Sequence, residues 1–161
     1  DKTAVKWYKL AAAQGLANAQ TNLGFMYFNG QGVPQEVKTA VKWHSLAAKQ
    51  GDSLAQTNLG IIYRTGESVP QDDEIAVKWY SLAAEQGNTE AQDSLGLMYF
   101  YGRGVIQDNV YAYMWWDIAA SSGNKGAAEK RDTIAKEMTP SQIEKAQELA
   151  RECVRKEYKG C

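Results

Sequence analysis

Apolar residues recur along this chain with a helical period, and the whole pattern returns every 36 residues. Ala19, Leu23, Met26 and Tyr27 fall at i, i+4, i+7 and i+8, which lines one face of a helix. The same face returns at Ala55, Leu59, Ile62 and Tyr63, and again at Ala91, Leu95, Met98 and Tyr99. After each such segment comes a second helical pattern, seen in Ala40, Val41, Trp43, Leu46, Ala47 and Ala48. Its signature Ala4-Val5-Lys6-Trp7-Tyr8 recurs as Ala40-Val41-Lys42-Trp43-His44 and Ala76-Val77-Lys78-Trp79-Tyr80, and in degraded form as Ala112-Tyr113-Met114-Trp115-Trp116. A fixed period of this size marks a stacked array, in which each unit touches mainly its neighbours.

The polar positions separate the helices. Gly30-Gln31-Gly32 and Gly102-Arg103-Gly104 end the first helix of their copies, and Pro34 and Pro70 prevent continuation. Ser68 replaces the second glycine of the middle copy, which predicts a strained or differently shaped turn. Asp72 and Asp108 stand where an N-cap or a first-turn acid belongs. Gly15, Gly51, Gly87 and Gly123 sit just past the second helices. The alanine pairs (Ala47-Ala48, Ala83-Ala84, Ala119-Ala120) and Gly24, Gly60 and Gly96 are small enough to let helices approach closely.

These signals predict a single array over 1–161: an orphan helix over 3–14, helix pairs over 18–50, 54–86 and 90–122, and a C-terminal pair over 125–157. In the last pair, Thr139-Pro140-Ser141-Gln142 reads as a capping box with proline at the first helical position. Its final helix has Ile143, Ala146, Ala150, Cys153 and Val154 on one side and charges on the other, as a terminal cap requires. The N-terminal helix has no cap, so Val5 with Tyr8 or Leu10 is expected to lie open there, with further repeats before Asp1.

Composition narrows the partners. With 18 basic and 19 acidic residues the net charge is −1, which gives neither the basic stripe of a nucleic-acid binder nor a polybasic membrane surface. No apolar run is long enough to insert in a membrane. The two cysteines, Cys153 and Cys161, are too few for a disulfide framework. On one continuous helix they would lie about 12 Å apart and could not bridge, whereas a break at Gly160 would let Cys161 fold back; of the two, a buried Cys153 and an unpaired tail Cys161 are expected, and the compartment stays open.

The residues Ala91, Leu95-Gly96, Tyr99, Gly102, Gly104-Val105, Asp108, Ala112, Trp115, Ala119-Ala120 and Gly123, repeated in register, resemble the Sel1-like repeat. The segment from Met138 to Ile143 resembles the ends of bacterial Sel1-like proteins. The resemblance implies an all-α fold, a right-handed α/α superhelix akin to the tetratricopeptide repeat. It also implies an adaptor that assembles protein complexes, periplasmic or exported rather than cytoplasmic.

Repetition explains most side chains structurally. Trp7, Trp43, Trp79 and Trp115 are expected to pack between repeats, and His44, the only histidine, to occupy a substituted packing or surface position. Binding belongs where the copies differ. Asn22, Phe28 and Asn29, then Asn58, Arg64 and Thr65, then Ser94, Phe100 and Tyr101 lie off the core stripe of the first helices. In related superhelices that helix lines the concave wall, so these nine are the candidate peptide- or protein-binding residues. Aromatic and Arg side chains are typical anchors, and Asn22 and Asn58 suit a peptide backbone. Phe25, Ile61 and Leu97 either join this grid or pack against neighbouring helices.

Nothing in the residues points to catalysis, a cofactor or a metal. Ser122-Gly123-Asn124-Lys125 has the Ser-x-x-Lys spacing of β-lactam-reactive enzymes, and the resemblance includes relatives linked to β-lactams. Here, however, Gly123 interrupts the motif, and Ser-Asp-Asn and Lys-Thr-Gly are absent. The readings that remain are a peptide-binding scaffold and, as the alternative, a structural spacer or an array associating end to end through its N-terminal helix.

Overall fold

Each copy places its C-cap glycine where the chain must turn left-handed, and this sets the element order. The computed structural model describes residues 2–67 and 69–161, and among these the regular elements are all helical. They are α1 (Lys2–Ala13), α2 (Ala17–Asn29), α3 (Val37–Lys49), α4 (Ser53–Thr65), α5 (Asp73–Ala84), α6 (Thr89–Tyr101), α7 (Asn109–Ser121), α8 (Lys125–Ile134), a 3-10 turn (Ala135–Glu137) and α9 (Pro140–Arg155). The expected irregularity at Ser68 lies outside the described residues. The helices group into two compact units, residues 1–72 and 73–161.

In the first unit, Val5 and Ala12 of α1 pack with Ala19, Leu23 and Met26 of α2, while Tyr8, Tyr27 and Trp43 close the cluster. Gly30 (φ 68°) ends α2 in the left-handed region, and its N–H donates to the Met26 carbonyl. The returning chain is then pinned to the helix it left: the Glu36 N–H donates to Tyr27 O at 2.8 Å, and Gln35 Nε2 to Phe28 O at 2.9 Å. The second unit repeats this at Asp108 N–H to Tyr99 O (3.0 Å) and Gln107 Nε2 to Phe100 O (2.9 Å). Asp108 also caps α7, accepting from the Val110 and Tyr111 amides as its position suggested. The second glycine of the turn has a different task. A Cβ on Gly104 would run into the Asp73 carbonyl and the Glu74 amide, so this glycine lets the start of α5 approach.

Each unit contains a buried glutamine clamp. Gln20 and Gln56 donate to Ala12 O (3.2 Å) and Ala48 O (3.1 Å), and Gln92 to Ala84 O (3.3 Å). Gln50 Nε2 then donates to Gln20 Oε1 at 2.8 Å. The register of Gln50 and Gln86 puts Ser122 one period further on, too short for the same reach, and Gln92 Oε1 is buried without a donor. Supplying a donor to a buried acceptor stabilises by roughly 1 kcal/mol. Ser122→Gln should therefore raise the melting temperature by about 2–4 °C. Thermal circular dichroism checks this, and an unchanged midpoint would count against the clamp.

Four expectations change. Val5 is only 4% exposed and belongs to the core, whereas Trp7, expected to pack between repeats, is 68% exposed. On α1, then, Trp7 and Leu10 form the open face, with Tyr8 half-buried. On α9 the buried set is Ala146, Ala150 and Cys153, with Val154 exposed. The cysteines, expected to be unpaired, form a disulfide with a Cα–Cα distance of 5.6 Å. The helix stops at Arg155, Glu157 and Tyr158 take left-handed angles (φ 51° and 64°), and Gly160 follows at φ 65°, so the tail doubles back. Lys159 Nζ then reaches Glu85 O at 3.2 Å, and the Gly160 N–H reaches Glu85 Oε1 at 3.3 Å. With the cysteines separated by 8 residues, loop closure is worth about 2.5 kcal/mol. Cys161→Ser should thus remove amide-exchange protection at residues 158–160 while leaving α6 and α7 protected.

Candidate functional site

The wall residues predicted from the sequence all lie on the first helix of a copy. In the first unit α2 carries Asn22, Phe28 and Asn29, and α4 carries Asn58, Arg64 and Thr65. Asn22 and Asn29 are exposed, but each amide turns one N–H onto its own helix, at Asn18 O (2.8 Å) and Phe25 O (3.0 Å). Their carbonyl oxygens and second N–H remain for a ligand. The exposed Thr65 hydroxyl likewise donates to Ile61 O at 3.0 Å. Phe28, Asn58 and Arg64 are half-buried, and Phe25 is exposed.

In the second unit α6 carries Ser94, Phe100 and Tyr101, and the last two come together at a cleft of about 360 Å³. Leu97, Phe100 and Tyr101 form one wall, and Trp116 of α7 lies against Phe100 with ring centroids 5.7 Å apart. The Phe100 and Tyr101 rings meet edge to face at 4.8 Å. Ser94 is half-buried on the same helix and does not line the cleft. The other wall comes from α8 and the 3-10 turn: Glu129, Lys130, Thr133, Ile134 and Glu137.

These α8 side chains were missed as site residues, although the sequence held the signal. Adding the period to Ser94, Leu97 and Tyr101 leads to Lys130, Thr133 and Glu137, so α8 continues the same grid. The loss of the Asn-Leu-Gly pattern there obscured the register.

Trp116 stands over Gly96, where a Cβ would press into the indole ring, and its Nε1 donates to Asp93 O at 3.2 Å. Lys130 Nζ sits 2.7 and 2.6 Å from the two Asp93 carboxylate oxygens, which neutralises its charge. Arg131 turns elsewhere, to Asp132 and Asp117 at 2.8 Å each, and its pKa is raised first by the hydrogen bond to Asp132. Thr133 Oγ1 donates to Glu129 O at 2.7 Å. The cleft is therefore an apolar box with its internal polar groups already paired.

His44 takes the packing alternative. Its ring lies over Gly24, where an added Cβ would sit 2.8 Å from Cε1, and the residue is 1% exposed. Burial lowers its pKa to about 4, against a smaller opposing pull from Asp52. Ser122 is the C-cap just past α7 and Lys125 is the first residue of α8, with Gly123 at φ 95° between them, so the single helical turn that a Ser-x-x-Lys pair needs is not formed. No helix of the described residues is long and apolar enough to cross a membrane.

A family model described as Sel1 repeat matches residues 1–16, 17–52, 53–88 and 89–124. Among solved structures, c5321, a protective antigen of uropathogenic Escherichia coli with an SLR fold, superposes with TM-score 0.89 at 38% identity, over 96% of this chain and 34% of its own. A Sel1 repeat protein from Oxalobacter formigenes gives TM-score 0.77 at 38% identity, over 81% of this chain and 53% of its own. Cysteine rich protein B of Helicobacter pylori, at 20% identity and TM-score 0.63, shares the fold, over 80% of this chain and 92% of its own. The chain thus spans about a third of the first relative and about half of the second. Comparison with curated proteins returns no match.

Proposed function

The chain belongs to the Sel1 repeat family, whose members are generally protein-interaction scaffolds, and from that premise we propose that it holds a peptide or protein segment along the wall made by the first helix of each repeat. The observation that supports this reading is the cleft at Phe100 and Tyr101, where an apolar floor opens to solvent beside a 60% exposed tyrosine. Solvent-facing aromatics around a concave apolar site are the usual composition of a binding anchor. Asn22, Asn29 and Asn58 supply the hydrogen-bonding that an extended backbone needs, while Phe28 and Arg64 supply side-chain contact.

A peptide-display selection against the chain tests this. Enriched peptides should bind a Phe28→Ala/Arg64→Ala/Phe100→Ala variant at least about tenfold more weakly, since anchor truncations cost more than 1 kcal/mol. Circular dichroism establishes that the variant is folded. Peptides that the variant retains would move binding off this wall.

A second reading has an observation of its own. Trp7, Leu10 and Leu16 are all more than half exposed, and Trp7 and Leu16 border a shallow cleft of about 500 Å³ with Tyr8 and Asn22. An apolar patch of this kind favours association between copies. Light scattering on the chain and on Trp7→Glu measures it: an oligomer that the charge dissociates would support assembly through α1, and a monomer would end that reading.

A further inference from the structure

The geometry points to a specific occupant for the cleft between α6 and α8: a bulky apolar side chain of a partner polypeptide whose next residue is Lys or Arg. The inference rests on the polypeptide-binding reading above and assigns the partner's chemistry at one subsite.

The size and lining select the apolar part. At about 360 Å³ the cleft is at the small end of ligand sites, large enough for one big side chain and the backbone that carries it. Leu97 and Phe100 offer it aliphatic and aromatic surface, over a floor formed by the nearly buried Trp116 and Ile134. The polar groups inside are mostly committed within the chain, leaving for a polar head one Lys130 N–H and the lone pairs of the Thr133 hydroxyl. The Trp116 indole donates to Asp93 O, the Thr133 hydroxyl donates to Glu129 O, and the Lys130 ammonium is held between both oxygens of Asp93. A buried hydroxyl or carboxylate of the partner would recover only part of the hydration it loses.

The rim selects the neighbour. Glu129 and Glu137 are exposed at the mouth, and neither carboxylate has an ion partner among the described residues. Lys130, the cation in the cleft wall, is neutralised by Asp93, and Arg103 is engaged over the Tyr101 ring at 5.5 Å. An apolar anchor entering here therefore brings its flanking residues toward two unpaired negative charges. A flanking Lys or Arg is attracted, and a flanking Asp or Glu is repelled.

The test uses the whole 15N-labelled chain and three capped hexapeptides, Gly-Ser-Phe-Lys-Ser-Gly, its Phe-Glu analogue and its Ser-Lys analogue. The Phe-Lys peptide should shift the Trp116 indole N–H and the amides of Leu97, Phe100 and Tyr101. The Phe-Glu peptide should bind about threefold more weakly or worse, the size of one exposed charge pair. The Ser-Lys peptide should leave the Trp116 signal in place. In Glu129→Gln/Glu137→Gln, a change confined to exposed side chains, the Phe-Lys and Phe-Glu peptides should bind alike. Equal or tighter binding of the Phe-Glu peptide to the unaltered chain, or shifts that avoid the cleft, overturns the inference. If display-selected peptides still depend on Phe28 and Arg64 in that case, the scaffold reading stands alone. If no selected peptide binds the wall, both readings fail.

Discussion

Gly96→Ala is expected to destabilise the chain by about 3 kcal/mol, although alanine is the better helix former. The added methyl would press into the Trp116 indole, which is almost fully buried and hydrogen-bonded to Asp93 O. Overpacking a core costs roughly 1–3 kcal/mol, and stranding the indole N–H adds about as much. Against this, replacing glycine within a helix gains at most about 1 kcal/mol. The melting temperature should fall by roughly 6–12 °C for a chain of this length. Gly126→Ala on α8 is the control. There a Cβ meets only Asn124 Oδ1 at 3.5 Å, an ordinary contact, so stability should hold or rise slightly. Equal effects at 96 and 126 would mean that the ring-on-glycine contact is not what joins α6 to α7. Because Trp116 also lines the cleft, Gly96→Ala should weaken peptide binding along with stability.

Acid should weaken the first unit through His44. Its folded pKa of about 4 lies below the ordinary 6.5, so the unfolded chain takes up the proton first. The stabilising contribution is complete above pH 6.5 and is lost as the pH falls toward 4, reaching about 3 kcal/mol when the histidine is charged in both states. The cause is burial: an imidazolium over Gly24 would have no water, and Nδ1 has no hydrogen-bond partner. His44→Phe removes the titration and keeps an aromatic ring in a slot filled elsewhere by Tyr8, Tyr80 and Trp116. Urea unfolding of both proteins at several pH values measures the difference. The gap between them should shift in the variant's favour by about 3 kcal/mol from pH 7 to pH 4. A gap that does not change with pH would show that His44 is solvated in the folded state.

Much of the molecule was legible in its residues because repetition makes each position report several times. The stripe of Ala19, Leu23 and Met26 is buried as its spacing requires, and so are its counterparts in α4 and α6. The glycines after α1, α3, α5 and α7 take positive φ, and Thr139 and Gln142 form the capping box. Gly24 and Gly96 were readable as small, but not as seats for a ring, because the sequence does not say which side chain comes over a glycine. Asp52, Asn88 and Asn124, which cap α4, α6 and α8, went unread because the first copy has Leu16 in that slot and hides the pattern.

The candidate site divides along the same line. The period by itself determined the helices, their turns and the positions Phe100 and Tyr101 as members of a variable wall. That information is local: helical spacing and glycine conformation depend on residues a few positions apart. Only the tertiary structure decided that α8 closes a cleft against those rings, that Asp93 neutralises Lys130, and that Cys161 folds back to Cys153. Each of these depends on where the chain goes after a helix ends. A few left-handed residues beyond Arg155 turned an expected separation into a bond, and no periodicity in the helix before them records that turn.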